Sequence, residues 1–390
     1  MKSRPLNRLD ARLLGLQRGG RPWAISLRAL MTEPVPRSAV ASAVGRLASV
    51  SPDWTARIGG ADPRRPEWIL DRGALPSIHG THDPELLDRR FDLRNEGPVR
   101  ISVETSGDGT VIGLAVNHAF ADGRGTLLLM RNLLTALADR PCGRAPVVSD
   151  DDLALLPPGG VGPRARVTAA LLRQSVRRVA TLDIDERAPT AMACGPLDMT
   201  GIDALRVAEP GLSVNDVLVA AVHRALGRMA SSSRPVVVGV PVDLRRRFGG
   251  ADSLGNAVLS ATTISAGAGD AGLRAESSRH GTAIRDQTTA TWLGAQLAVS
   301  TMFARPGKSD ARPPVRRRGW PQTAVCSNLG VVEDHPGWSG VRSIEFAPPA
   351  HQIAAIGIAT LGSTTTLTVR SRSSPADARA LLGEIVDQLT

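Results

Sequence analysis

Read as hydrophobic and polar positions, the chain shows its clearest pattern between residues 99 and 137. Ile101, Val103 and Thr105 alternate with Ser102 and Glu104, the period of a strand with one buried face. Ser106-Gly107-Asp108-Gly109 then reads as a tight turn. A second strand is expected from Thr110 to about Asn117, with Ile112, Leu114 and Val116 on one face. His118 continues that face and Asn117 points the other way. Leu127, Leu128, Met130, Leu134 and Leu137 follow at helical spacing, which puts Asp122 at the entrance of a helix. An Asp there can accept from the first free N–H groups, and its charge suits the positive helix end.

On either side the pattern is coarser. Residues 22–32 predict a strand and 35–49 a helix with Val40, Val44, Leu47 and Ala48 on its apolar face. Residues 51–78 read as turns around short extended pieces. Pro141 to Pro163 is rich in Pro, Gly and Asp, includes Asp150-Asp151-Asp152, and predicts a solvated linker. Residues 166–180 predict a basic helix. Ser213-Val214-Asn215-Asp216 has capping-box spacing, and Val217, Leu218, Ala221, Val222 and Ala225 continue as a helical face. His223 falls off that stripe and is expected at the surface. Residues 236–242 read as a buried strand ending in Asp243-Leu244-Arg245, 323–328 and 351–371 as strands, and 375–389 as a closing helix. The order of elements gives an α+β (mixed α/β) fold. The expected division is 1–145, a connecting segment 146–192, and 193–390.

Composition narrows the function classes. Aromatics are 3% of the 390 residues and Tyr is absent, so base-stacking platforms are not expected. The formal net charge is +10, carried mostly by scattered Arg without a stacking motif, which argues against nucleic acid as partner. It suits an anionic small molecule, an acidic protein, or solubility alone. Cys142, Cys194 and Cys326 are odd in number and widely spaced, which fits neither a disulfide framework nor a zinc site. His79 and His82 lack nearby ligands and read as loop histidines, so no metal is expected. No apolar run reaches the roughly 18–20 residues of a membrane span, and the N-terminal stretch lacks an apolar signal core. A reducing, cytoplasmic setting and a monomer are expected.

Five blocks, in order, carry a resemblance. Phe91-Asp92-Leu93 with Pro98-Val99-Arg100 resembles a segment of condensation-type acyltransferases, and His118-Ala119-Phe120-Ala121-Asp122-Gly123 resembles their HHxxxDG core. Ser213 to Leu226 is similar to a helix of wax ester synthase-like and polyketide-associated acyltransferases. Asp243-Leu244-Arg245 with Gly255-Asn256 resembles the VDxR and GN pair, and Ser327-Asn328-Leu329-Gly330 the crossover strand. The chain departs from the pattern at Asn117, where the first histidine of the pair would stand, and it lacks the DFGWG block of the plant members. It is also short for a wax ester synthase.

The resemblance implies two chloramphenicol acetyltransferase-like domains with an active-site tunnel between them. It implies transfer of an acyl group from acyl-CoA, or from the phosphopantetheine of an acyl-carrier protein, to a small-molecule alcohol or amine acceptor. His118 would be the general base, since an imidazole titrates close to working pH. Asp122 would pair with Arg245 across the domains, and Gly123 would serve the backbone geometry of a tight turn. Ser327, Asn328 and Asn117 are candidates for contact with the oxyanion or substrate, and Asn256 is expected to be structural. Arg316-Arg317-Arg318, with Arg312 and Lys308, is a candidate for phosphate or carrier contact. No permanently bound cofactor is implied. Two other readings keep the fold: a cyclase or carrier-bound tailoring enzyme, and a non-catalytic binding protein.

Overall fold

The computed structural model describes residues 2–17, 23–60, 62, 65–70, 74–80, 89–107, 109–157, 160–182, 190–249, 253–265, 272–303, 322–350 and 354–390. The expected Arg-rich run at 316–318, with Lys308 and Arg312, and His82 lie outside these residues.

The first half runs β1 (Ser3–Pro5), α1 (Arg8–Gln17), β2 (Ala24–Met31), α2 (Arg37–Val50), β3 (Arg57–Gly59), β4 (Glu67–Ile69), β5 (Ser77–His79), β6 (Val99–Ser106), β7 (Gly109–Asn117) and α3 (Gly123–Leu137). Two helices follow, α4 (Asp150–Ala154) and α5 (Val161–Val176). The second half runs β8 (Thr190–Pro196), α6 (Thr200–Ala208), α7 (Val214–Met229), β9 (Val236–Asp243), β10 (Val258–Ser265), α8 (Leu273–Gln287), α9 (Ala290–Phe303), β11 (Ala324–Val332), β12 (Val341–Ala347), β13 (Ala354–Leu361), β14 (Thr364–Arg372) and α10 (Pro375–Asp387).

A five-stranded sheet has the order β12-β2-β7-β6-β5 and a six-stranded sheet the order β10-β9-β11-β13-β14-β8. The mixed α/β character expected from the sequence is present. The alternation at 99–117 forms an antiparallel hairpin in which Ile101 faces Leu114 and Val103 faces Ile112. One strand crosses over: β12, from the second half, pairs antiparallel with β2, Phe346 opposite Leu27. The sheets meet closely there. A Cβ on Gly357 of β13 would overlap the Phe346 carbonyl, so only glycine fits.

Each sheet has its own apolar core. Leu27, Ile112, Leu114, Phe120, Leu133 and Trp68 belong to the first; Val217, Leu218, Val238, Ile356 and Leu367 belong to the second. A third cluster joins Leu9 of α1, Val148, Leu153 and Leu156 to Leu244, Leu259 and Leu293. This corrects the reading of 141–163 as solvated linker. Val148 N donates to the Leu254 carbonyl at 2.9 Å. Asp152 closes a capping box with Ser149, and Asp150 pairs with Arg8 at 3.2 Å. Burial of Leu153 and Leu156 orders a segment that its Pro and Gly content marks as loose.

Candidate active site

The candidate site starts where β7 ends. His118 N donates to the Trp23 carbonyl at 2.8 Å, which ties the first residue after β7 to the start of β2. Asn117 is fully buried, and its Oδ1 accepts from Ala119 N at 3.0 Å. That bond ties the Asn117 side chain to the turn that carries His118. Asp122 is the N-cap of α3, accepting from Gly125 N at 2.9 Å.

Gly123 differs from expectation. It is not among the glycines with positive φ, so no left-handed turn demands it. A Cβ there would lie 2.9 Å from Leu329 Cδ2 and 3.0 Å from Phe346 Cζ. Glycine here allows α3 to approach β11 and β12 without pushing those side chains aside.

Asp122 and Arg245 meet across 123 residues of sequence. Arg245 Nη1 donates to Asp122 Oδ2 at 2.9 Å and Nη2 to Oδ1 at 3.0 Å, a two-pronged pair in which both side chains are 1% exposed. The remaining capacity is also used. Asp122 Oδ2 accepts from Ala257 N at 2.9 Å, while Arg245 donates to Asp243 Oδ1, to the Ser253 carbonyl and hydroxyl, and to the Gly255 carbonyl. Burial raises the Asp122 carboxyl, but Arg245 and the hydrogen bonds outweigh it and hold the group below the usual carboxylate range. Burial likewise lowers Arg245, and Asp122 and Asp243 more than offset it. A buried pair this fully satisfied fixes the His118–Asp122 loop against the turn after β9.

His118 is half-buried. Its Nδ1 is enclosed and makes no hydrogen bond of good geometry, which leaves Nε2 as the open ring nitrogen. Trp23 packs beside the ring, centroids 6.0 Å apart. Burial pushes the imidazole below its ordinary 6.5; Asp122, the His118 and Ala121 carbonyls and the Asn256 side chain oppose this without cancelling it. The ring is therefore neutral near pH 7 and able to accept a proton.

Ser327 and Asn328 lie on β11, beside Leu329, whose carbonyl accepts from Arg124 of α3 at 3.3 Å. Ser327 is 9% exposed; Asn328 Oδ1 accepts from Gly330 N at 2.8 Å, where the β11–β13 register shifts. His79 Nε2 bonds Ser77 Oγ at 3.0 Å. Among the described residues, no cluster of three or more His, Cys, Asp or Glu is arranged to hold a metal ion, and no helix is long and apolar enough to cross a membrane.

His223 corrects the surface expectation. It is 1% exposed, with Nδ1 on Ser265 Oγ at 2.9 Å and Nε2 on Thr263 Oγ1 at 2.8 Å, and it stacks on His280. Two residues at the His118 loop carry more than the sequence reading gave them. Asn256 Nδ2 donates to the His118 carbonyl at 2.8 Å and to Asp10 Oδ1 at 2.7 Å. Asp10 belongs to none of the five blocks. Its signal is the Asn7-Arg8-Leu9-Asp10 spacing of a helix cap, in which Asn7 Oδ1 does accept from Asp10 N at 2.8 Å.

Solved structures with this architecture decide the fold. The condensation domain of the monacolin K polyketide synthase MokA superposes with a TM-score of 0.70 at 12% identity, covering 100% of this chain and 97% of that one. The chain has the condensation-domain fold. Its two lobes are the chloramphenicol acetyltransferase-like pair that the resemblance implied. The same fold appears in the trichothecene 15-O-acetyltransferase TRI3 of Fusarium sporotrichioides, with a TM-score of 0.70, 14% identity and coverage of 99% and 94%. It appears again in the epimerization domain from the third module of tyrocidine synthetase B, with a TM-score of 0.67, 13% identity and coverage of 100% and 95%. Over 131 residues, 32% of this chain, the sequence is 34% identical to a probable non-canonical nonribosomal peptide synthetase, CymA, of Salinispora arenicola (strain CNS-205). The chain spans 2% of that protein's length. No family model matches the chain.

Proposed function

We propose that this protein transfers an acyl group from a thioester to an alcohol or amine, with His118 as the general base. The observation that carries the reading is the His118 ring: neutral near pH 7, enclosed at Nδ1, open at Nε2, and mounted on a loop pinned by the buried Asp122–Arg245 pair. The acceptor's oxygen or nitrogen attacks the thioester carbonyl carbon while Nε2 takes its proton. The C–S bond then breaks and the proton passes to the leaving thiolate. Such acid–base help contributes about 10²–10⁴-fold in rate, with a further term from holding both substrates together. Ser327 and Asn328 are the candidates to donate to the developing oxyanion. The thioester is acyl-CoA or a phosphopantetheine-linked acyl group, so an acyl-carrier protein is a candidate partner, and the reaction needs no covalent enzyme intermediate.

The test is release of free thiol from coenzyme A thioesters of short and long acyl chains, with small alcohols and amines as acceptors. The products are identified by mass spectrometry. His118→Ala is expected to lose nearly all acceptor-dependent release while keeping the wild-type circular dichroism spectrum. Full activity in that variant contradicts the reading.

The full-length likeness to an epimerization domain favours one second reading. There the same Nε2 removes the Cα proton of a carrier-bound aminoacyl thioester and a proton returns to the opposite face. Deuterium incorporation from heavy water without thiol release selects it.

A further inference from the structure

A chain of polar contacts leads from the N-terminal helix to the back of His118. Asp10 Oδ1, in the first turn of α1, accepts from Asn256 Nδ2 at 2.7 Å and from Asn256 N at 3.1 Å. The same Nδ2 donates to the His118 carbonyl at 2.8 Å. Asn7, which caps α1, donates from Nδ2 to the Asn256 carbonyl at 3.2 Å. These residues are buried: Asn7 is 3%, Asp10 0% and Asn256 1% exposed.

The network also fixes which way the Asn256 amide faces. Both partners of Nδ2 are oxygens, and reversing the amide would set oxygen against oxygen twice. Its Oδ1 is therefore committed to the other side, where it is enclosed and has no partner. His118 Nδ1 and Asp10 Oδ2 are likewise enclosed and make no hydrogen bond of good geometry. The Asn256 side chain is also one of the groups that favour the protonated imidazole. An enclosed acceptor and an enclosed ring nitrogen on interacting residues point to a bond between them that an Nδ1–H would make in either charge state.

We propose that Asp10 and Asn256 are positioning residues for His118: Asp10 holds the Asn256 amide so that its Nδ2 anchors the His118 carbonyl and its Oδ1 receives the ring's Nδ1–H. This assignment rests on His118 acting as the base. The bond keeps the proton of the neutral ring on Nδ1 and the lone pair on Nε2. It strengthens as the ring becomes a cation, so its benefit grows along the reaction. Asp122 is the ionisable group acting on the ring, and it is itself engaged by Arg245; Arg4 faces Asp10. Burial pushes the Asp10 carboxyl up to about 7, against Arg4 and the bonds from Asn256 and Asn7. Asp10→Asn therefore mimics the protonated form and keeps an accepting oxygen.

The test uses the full chain with histidines labelled by ¹³C and ¹⁵N, titrated by NMR, with His118→Gln identifying the His118 signals. In the wild type the neutral ring is expected to carry its proton on Nδ1. Asn256→Ala is expected to lower the His118 pKa and to populate the Nε2–H tautomer. Asp10→Ala shifts both in the same direction, and Asp10→Asn restores most of the change. The His223 signals, unchanged throughout, report an intact fold. With acetyl-CoA and a small alcohol, kcat in Asn256→Ala is expected to fall about 10–100-fold, by analogy with the partners that orient metal-bound imidazoles, with KM little changed. A wild-type ring protonated on Nε2, or an unchanged His118 pKa in Asn256→Ala, overturns the proposal. The tautomer measurement decides even where a variant does not fold. If the pKa shifts as expected while His118→Ala retains full turnover, the base reading fails and the positioning stands.

Discussion

Two histidines, one in each half of the molecule, are alike in the properties most often used to find an active site. Burial pushes both His118 and His223 below the ordinary imidazole range. Both sit beside another ring, Trp23 for one and His280 for the other. They differ in what their nitrogens have left to do. His223 has a hydroxyl on each nitrogen and 1% exposure, so it has no lone pair to offer and no room for a substrate. His118 has an unpartnered Nδ1, an open Nε2 and a loop held by a buried ion pair. A depressed pKa alone marks burial. Unspent hydrogen-bonding capacity on a rigid mount is what marks a site.

The comparison can be broken at several points. The largest stability effect is expected at the mount. Arg245→Ala leaves the buried Asp122 charge without its cation and should cost about 3–5 kcal/mol in urea unfolding, with transfer activity falling in the folded fraction; Asp122→Ala, which leaves Arg245 its bond to Asp243, should cost less. A loss below 1 kcal/mol would mean the pair does not hold the loop. Next is the satisfied histidine: His223→Leu takes the imidazole partner from the buried Ser265 hydroxyl, while Thr263 keeps the Val238 carbonyl, and should cost about 1–3 kcal/mol, with kcat per folded molecule unchanged. Gly123→Ala presses a Cβ on Leu329 and Phe346 and should cost about 1–3 kcal/mol, read as a lower thermal midpoint.

The smallest effect is the pH dependence. His280, lowered by burial from 6.5 to about 4, is neutral when folded and protonates more readily when unfolded. Its contribution is complete above pH 6.5 and is lost as pH falls toward 4. Asp122, held below the usual carboxylate range, loses its contribution only at still lower pH. Asp10, raised by burial to about 7, acts in the opposite direction over the same window, so the histidine part is read as a difference: relative to wild type, His280→Gln should lose less stability as pH falls from 6.5 toward 4. An unchanged slope in that variant would remove His280 as a contributor.

The sequence was most legible where local pattern and tertiary role agree. The 99–117 hairpin, the Asp122 cap and the Ser213–Asp216 capping box all rest on spacing within a few residues. The pairing of Asp122 with Arg245 came from resemblance, since nothing local links positions 123 apart. Other elements depend on distant partners. β12 is a strand because β2 supplies its edge, more than 300 residues away in the chain. α9 is apolar nearly all round and so has no periodic stripe to read. His223 was misplaced because α7 is covered on two sides: its aliphatic stripe joins the second core, and the face bearing His223 meets His280 of α8. Gly123 was assigned to turn geometry because sequence shows a missing side chain but not the Leu329 and Phe346 atoms that exclude one.

The central claim is that the two histidines have opposite duties. The most direct test is acceptor-dependent thiol release and urea unfolding, measured together on wild type, His118→Ala and His223→Ala. The expected result is a crossed pattern. His118→Ala loses about 10²–10⁴-fold in kcat with near wild-type stability, and His223→Ala loses stability with near wild-type kcat. Equal kcat in wild type and His118→Ala, or a larger kcat loss in His223→Ala, would contradict the account.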